Sequence, residues 1–161
     1  MAPKRQLVMD AIALRFASIL TGVGGYYSDL GLNIIASRPQ VVLPDGAVGR
    51  VPVEPVECPC ILIRDPLDTV SRMNMKGDER HVLDVEIEVR HEGGAITDSD
   101  LRKMEQDVRT AIGVDPTWGG LAREGTVWNS CEKMLIQADK IIGGLLIRVS
   151  VTFYTSKWSE T

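Results

Sequence analysis

The feature that most constrains the fold is a strictly alternating segment at residues 80–90, RHVLDVEIEVR. Its centre alternates apolar with acidic side chains: Leu83, Val85, Ile87 and Val89 against Asp84, Glu86 and Glu88. Successive side chains of a β-strand point to opposite faces of the sheet, so this strand has one apolar face and one face with three carboxylates. The segment therefore predicts a strand whose apolar face packs on a core.

The acidic face of this strand has two interpretations. Three carboxylates on one strand are typical of a solvated face of an antiparallel sheet. They also form a surface that repels an anionic partner, because like charges raise the energy of every phosphate that approaches. The residues alone leave both interpretations open, and they supply no neighbours that would divide the carboxylates into an acid and a base.

Length and charge limit the function classes. The chain has 161 residues, which is enough for one domain, residues 1–161, with a sizeable core. Its formal net charge of -4 argues against a protein that neutralises many phosphates. No apolar stretch approaches the roughly 20 residues of a membrane span, and no secretory signal is expected.

The chemistry-bearing residues are few. Cys58, Cys60 and Cys131 are an odd number of cysteines without paired spacing, which is typical of free thiols in reducing cytoplasm. His81 and His91 stand in no motif with a nucleophile, and we interpret them as solvent-exposed residues at strand ends. We expect no catalytic site, no metal and no cofactor.

Two helices are predicted. Apolar residues of residues 3–20 recur at spacings of four, four and three, and the glycines of residues 22–25 end this helix. The second helix begins at the capping residues 97–100 and ends at Gly113. Its buried face is predicted to consist of Leu101, Met104, Val108, Ala111 and Ile112.

Two segments between the helices depart from regular patterns. Residues 38–59 contain five of the eight prolines, which indicates extended chain and turns with strands only at an edge. Residues 60–64 read as a short strand. Residues 65–79 are polar and read as a long hairpin connection or mobile loop.

The C-terminal part predicts two further strands, residues 132–138 and 145–154, joined by a turn that contains Gly143 and Gly144. The order is therefore helix, strands, helix, strands. This order predicts an α+β domain with a largely antiparallel sheet and two main helices packed on one face.

Several of these segments together resemble a known family. They are the helix that leads into residues 25–31, GYYSDLG, the acidic strand with its capped helix, residues 115–122, DPTWGGLA, and the last strand with residues 151–155, VTFYT. Spanning residues 9–155, they resemble the tail terminator proteins of long-tailed phages, which are ring-forming minor tail proteins. Residues 117–122, TWGGLA, contribute most to the likeness.

The resemblance implies a structural virion protein without enzymatic activity or cofactor. It implies a homo-hexameric ring on the head-proximal end of the tail tube, assembled in the host cytoplasm. Such a ring stops further tube subunits from adding and offers a surface to the head-tail connector or neck protein. DNA passes through the lumen without specific binding, and no membrane is involved. Asp84, Glu86 and Glu88 are the residues that we expect to line the lumen.

Contacts between subunits require apolar or aromatic anchors. Met73 and Met75, in the expected loop, and Trp118, Trp128 and Trp158 are candidates. Burial in its own subunit is at least an equal alternative for each tryptophan, and simple exposure is a further alternative for Trp158. The Pro-rich residues 38–59 and the loop at residues 65–79 look like enlargements relative to the family.

Three other functions stay open. A head-completion or neck connector protein would share the ring but lie on the other side of the head-tail joint. A cellular adaptor domain would have the same α+β build. A small hydrolase would use Cys131 or His81.

Overall fold

The structure is a computed structural model that describes residues 2–36, 40–42, 48–50, 58–72, 77–92, 96–137 and 141–156. It contains two α-helices and a five-stranded, mostly antiparallel open sheet, so the predicted α+β fold is confirmed. The elements are α1 (Lys4–Phe16), β1 (Ile34–Ala36), β2 (Gln40–Val42), β3 (Val48–Arg50), β4 (Cys60–Arg72), β5 (Asp78–Glu92), α2 (Asp98–Val114), β6 (Thr126–Gln137) and β7 (Ile141–Ser156). A 3₁₀ turn, Leu30–Leu32, precedes β1.

The main sheet has the strand order β1-β4-β5-β7-β6. The short strand β1 pairs in parallel with β4, and all other neighbours are antiparallel. Strands β2 and β3 pair with each other in a separate two-stranded sheet, within the Pro-rich segment. The other residues of the Pro-rich segment, apart from the last two, lie outside the described residues.

Both helices pack on the same face of the main sheet. Burying an apolar side chain stabilises the fold by about 1.5–3 kcal/mol, so the apolar face of β5 determines which side the helices cover. The predicted apolar residues of β5 and of α2 are all buried in one core cluster, together with Val8, Ile12 and Phe16 of α1. The predicted cap of α2 is also confirmed, because Thr97 and Asp100 form a reciprocal capping box.

Helix α1 is shorter than predicted. It ends at Phe16 instead of residue 20, although Ile19 is still buried. The 3₁₀ turn itself packs back on the chain that follows α1, where the Gly31 N–H donates to the Ile19 carbonyl over 2.8 Å. A Cβ at Gly31 would lie 2.5 Å from the Ala17 carbonyl oxygen, so only glycine permits this close approach.

The prediction of a loop at residues 65–79 was wrong for most of that segment. Strand β4 continues to Arg72 and β5 begins at Asp78. A β-bulge between Arg64 and Leu67 shifts the register, so even-numbered residues change face there and the two-residue alternation is broken. That bulge hid the second half of β4 in the sequence. Residues 73–76 lie outside the described residues.

The predicted turn at Gly143 and Gly144 was also wrong, because both glycines lie inside β7. A Cβ at Gly143 would lie 3.1 Å from side-chain atoms of Ile96 and Leu101. Gly143 therefore permits the start of α2 to pack closely on the sheet. The glycine in the sequence reflects this close packing and not a turn. The two C-terminal strands themselves are confirmed, each longer than predicted.

None of the helices within the described ranges is both long enough and apolar enough to cross a membrane.

Candidate assembly surfaces

The three acidic side chains of β5 point away from the helices, as the alternation predicted. Glu88 is more enclosed than Glu86, with 13% of its side chain exposed against 21%. Its carboxylate accepts hydrogen bonds from Arg64 and Arg90, each over 2.6 Å. Charge-assisted bonds of this length are the strong class of hydrogen bond, so Glu88 holds both guanidinium groups in place.

The other two acids also have partners. Glu86 lies 3.5 Å from the Arg148 guanidinium, which also binds Glu132. The hydrogen bond with Glu132 raises the pKa of Arg148 above its ordinary value, and Glu86 adds to this shift. Asp84 accepts a hydrogen bond from the Ser150 hydroxyl over 2.9 Å.

The acidic strand therefore does not make a purely acidic face. Arg64 of β4, Arg90 of β5 and Arg148 of β7 lie among the three acids and offset their charge. The repulsion of anions expected from β5 alone is correspondingly smaller. Whether this face lines a lumen stays a prediction.

A second charged cluster lies at the opposite end of the same strand. Arg80 binds the Glu124 carboxylate through two nitrogens, at 2.5 and 3.1 Å, and the Tyr154 hydroxyl donates to the same carboxylate. The Arg80 hydrogen bond, followed by that of Tyr154, lowers the pKa of Glu124 to about 2. No local pattern predicts this cluster, because Glu124 lies in the segment before β6, 44 residues from Arg80.

The interpretation of His81 as a solvent-exposed residue was wrong. Strand β5 extends beyond it, and its position in the alternation puts it on the core face with Leu83. Its Nδ1 lies 3.0 Å from Asp68 and its Nε2 lies 2.9 Å from the Thr155 hydroxyl. The ring also stacks on Phe153, with the centroids 4.7 Å apart.

This order of carboxylate, imidazole and hydroxyl is also the order of a hydrolytic triad. Thr155 is only 6% exposed, however, so its hydroxyl is closed to a substrate in this conformation. The three residues instead connect β4, β5 and β7 through their side chains. His91, the other histidine, is half-buried at the end of β5.

All three cysteines are free thiols, and two of them, Cys58 and Cys131, have raised pKa values. Burial, followed by the charge of Glu105, raises the pKa of Cys131 to about 11. Burial also raises the pKa of Cys58. A thiol with a raised pKa is rarely ionised at neutral pH, which disfavours Cys131 as a nucleophile. Within the described ranges no three His, Cys, Asp or Glu residues lie close enough together to hold a metal ion.

Trp118 is buried in the core of its own subunit, which is the alternative that the sequence left open for it. It is 4% exposed and packs edge-to-face against Phe16. Its indole N–H donates to the Thr126 hydroxyl over 2.7 Å. The Asp115 carboxylate accepts from the backbone N–H groups of Thr117 and Gly119, which shapes the turn around the tryptophan.

Trp128 remains a candidate for an assembly contact. It is half-buried on β6, and the guanidinium carbon of Arg109 lies 4.1 Å from its ring centroid in a cation–π contact. Met73, Met75 and Trp158 lie outside the described residues, so their predicted roles stay predictions.

The structure adds one surface that the sequence did not suggest, at the end of the β6–β7 pair. Four large apolar side chains there are between 37% and 55% exposed: Met134, Leu135, Ile136 and Ile142. We call these four residues the apolar tip. Met134 is paired with Gly144 and Leu135 with Gly143. Because a glycine has no side chain, each of these apolar groups lacks a cross-strand neighbour to cover it.

A groove of about 530 Å³ lies beside the apolar tip. Gly144, Leu146 and Met134 line it, and Glu88, Arg90 and Lys133 bring charges to it. The groove therefore connects the apolar tip with the charged face of β5. Sequence reasoning missed both, because it interpreted Gly143 and Gly144 as a turn.

No protein-family model matches this chain, and no curated protein matches its sequence.

Proposed function

We propose that this chain is the tail terminator of a long-tailed phage. Six copies of it form a ring on the head-proximal end of the tail tube. The ring ends polymerisation of the tube protein and offers its outer surface to the connector. The resemblance described above supplies this function.

The observation that carries the proposal is the apolar tip. Monomeric proteins rarely expose several neighbouring large apolar side chains, and such a patch marks a surface that another protein covers. Met134, Ile136 and Ile142 share one face of the sheet, and covering apolar surface contributes about 25 cal/mol per Å², so these three neighbouring side chains favour association. A protein whose role is assembly explains the tip, whereas a self-contained enzyme does not require it.

A ring needs a heterologous contact, in which one surface of each copy meets a different surface of the next copy. The apolar tip occupies one end of the sheet only, so it provides one such surface. The tip also lies at the end of two strands, where the tube or the connector can contact it.

The charged face of β5 suits the wall of a DNA passage in a way that the sequence did not suggest. Free arginine side chains would bind phosphates and hold the DNA. Here Glu88 binds Arg64 and Arg90, and Arg148 is bound by acids of two strands. The carboxylates thus occupy the arginines, which supports passage of DNA without specific binding.

The test is complementation of a phage that lacks this gene, with variants of the apolar tip. Met134→Lys puts a charge into the face of the tip that Met134 shares with Ile136 and Ile142, and we expect it to abolish or strongly reduce the joining of heads and tails. The matched control is Leu14→Lys, because Leu14 of α1 is also highly exposed but lies away from the sheet. Equal joining by both variants, at equal protein levels, would contradict the role of the tip.

A further inference from the structure

The main sheet has two open edges on opposite sides. Strand β6 is the last strand on one side, and within the described residues nothing pairs with its outer edge. On the other side β1 covers only Ile61 to Ile63 of β4. The outer edge of β4 beyond this contact is therefore also without a strand partner in the part of the chain that the structure describes.

Open edges carry unpaired N–H and C=O groups that can pair with another chain. Natural proteins protect such edges with charges, prolines and bulges. Strand β4 has Asp65, Pro66, Asp68 and a bulge, whereas residues 126–131 of β6 include no charged residue. Val127 on β6 is 58% exposed and Leu67 on β4 is 54% exposed. Each is a large apolar side chain that a second strand would cover.

The two edge residues lie in the same cross-strand row of the sheet. Leu67 pairs with Asp84, Asp84 with Ser150 and Ser150 with Val127. Direct partners in antiparallel strands share a face, so Leu67 and Val127 lie at the two ends of one row on the face opposite the helices. Each copy thus carries an apolar residue at matching positions of its two open edges.

The strand directions are also compatible. Strands β4 and β7 run one way and β5 and β6 run the other way, because each neighbouring pair among them is antiparallel. Two identically oriented copies side by side would therefore place β6 of one antiparallel to β4 of the next. Antiparallel pairing continues the pattern of the sheet without a change of direction.

From these observations we infer that the partner of each open edge is a second copy of this chain, with β6 of one copy pairing with the outer half of β4 of the next copy. This inference rests on the proposed ring and names its contact. Pro66 has no N–H to donate, so the ladder begins at Leu67. Closure of a tilted sheet requires a stagger along the strands. Val127 therefore faces Leu67, Thr69 or Ser71 of the neighbour, the three residues that share its face.

Cysteine cross-linking measures this contact and its stagger together. Three double variants combine Val127→Cys with Leu67→Cys, Thr69→Cys or Ser71→Cys. All four positions are exposed, so the fold tolerates them. After assembly on isolated tails and mild oxidation with copper phenanthroline, we expect one pair to give a series of disulfide-linked multimers of up to six chains on a non-reducing gel.

Two controls exclude unspecific linkage. Val127→Cys alone reports links to the native cysteines. The pair Leu14→Cys and Val23→Cys has comparable exposure but lies on neither edge. If the variants assemble but none of the three edge pairs cross-links more than these controls, the inference is overturned.

A second set of variants tests the contact without oxidation. Val127→Lys alone should reduce assembly at least tenfold. Adding Glu at the position that cross-links to Val127, as Leu67→Glu, Thr69→Glu or Ser71→Glu, should restore most of it by pairing opposite charges across the edges. No restoration by the second substitution would count against the contact. If the edge pairs cross-link but tails made without the gene are normal, the contact between copies is supported and the terminator function is refuted. If tails made without the gene are overlong but no edge pair cross-links, the terminator function is supported and the edge contact is refuted.

Discussion

Asp107 shows how one buried charge positions a loop. It is 1% exposed on α2, and its carboxylate accepts hydrogen bonds from the Tyr27 N–H and the Ser28 hydroxyl. These bonds fix the chain that follows α1 against the second helix. The sequence placed Asp107 correctly on α2, but it gave no reason to expect a charged residue inside the core.

We predict that Asp107→Ala lowers the free energy of unfolding by about 1–3 kcal/mol, because it leaves buried donors without an acceptor. The control is Gln106→Ala, which alters an exposed residue of the same helix and should change stability by no more than about 0.5 kcal/mol. Urea unfolding measures both. Equal losses in the two variants would show that the Asp107 hydrogen bonds contribute nothing.

Glu124 provides a prediction that depends on pH. Its pKa in the folded protein, about 2, lies below the ordinary value of 4.5, because Arg80 and Tyr154 bind the ionised form. This carboxylate therefore stabilises the fold above about pH 4.5, and that contribution is lost as the pH falls towards 2. We expect Arg80→Gln to raise the pKa of Glu124 towards its ordinary value.

Carboxyl NMR titration of the folded protein measures this shift directly. Asp115 serves as an internal control, because its lowered pKa arises chiefly from Thr117 and Gly119. Its titration should not change in the Arg80→Gln variant. A Glu124 pKa that is the same with and without Arg80 would refute the assignment of cause.

At the scale of elements, the sequence predicted what depends on local patterns. The alternation of β5 and the capping box of α2 are both properties of neighbouring residues, and both were confirmed. The second half of β4 was missed because a bulge breaks its period. The partners of the β5 acids were missed for another reason: Arg64 and Arg148 belong to other strands, and pairing between strands is not a local property.

Replacement by alanine should have opposite effects on stability at Gly143 of β7 and at Gly113 of α2. Gly143→Ala should destabilise the fold by about 1–3 kcal/mol, because the new Cβ would crowd Ile96 and Leu101. Gly113→Ala, within α2, meets no atom within 4 Å and should stabilise by up to about 1 kcal/mol. Thermal unfolding of both variants measures the difference. A Gly143→Ala protein as stable as the parent would contradict the packing role of this glycine.

At the scale of the whole molecule, the paired charges on the β5 face predict how the protein meets DNA. We expect Glu88→Gln to increase binding of duplex DNA, because it releases Arg64 and Arg90 from their acceptor. Each freed arginine that contacts a phosphate releases about one counterion, so the salt dependence of binding should correspond to about one to two more released counterions. Fluorescence anisotropy at several salt concentrations measures both effects.

The control for this prediction is Asp10→Asn, which changes the net charge equally but is exposed on α1, where the carboxylate accepts a hydrogen bond from Gln6. It should leave DNA binding nearly unchanged. A similar increase in both variants would mean that net charge alone, and not the release of two arginines, controls the contact with DNA.

The measurement that tests the terminator function most directly is electron microscopy of particles made without this gene, in the phage or prophage that encodes it. We predict tail tubes that are overlong or uneven in length, beside full heads that carry no tail, because nothing ends tube polymerisation. Free tails of uniform, normal length would contradict the terminator role and place the protein on the head side of the joint. Unaltered particles would contradict any role in the junction.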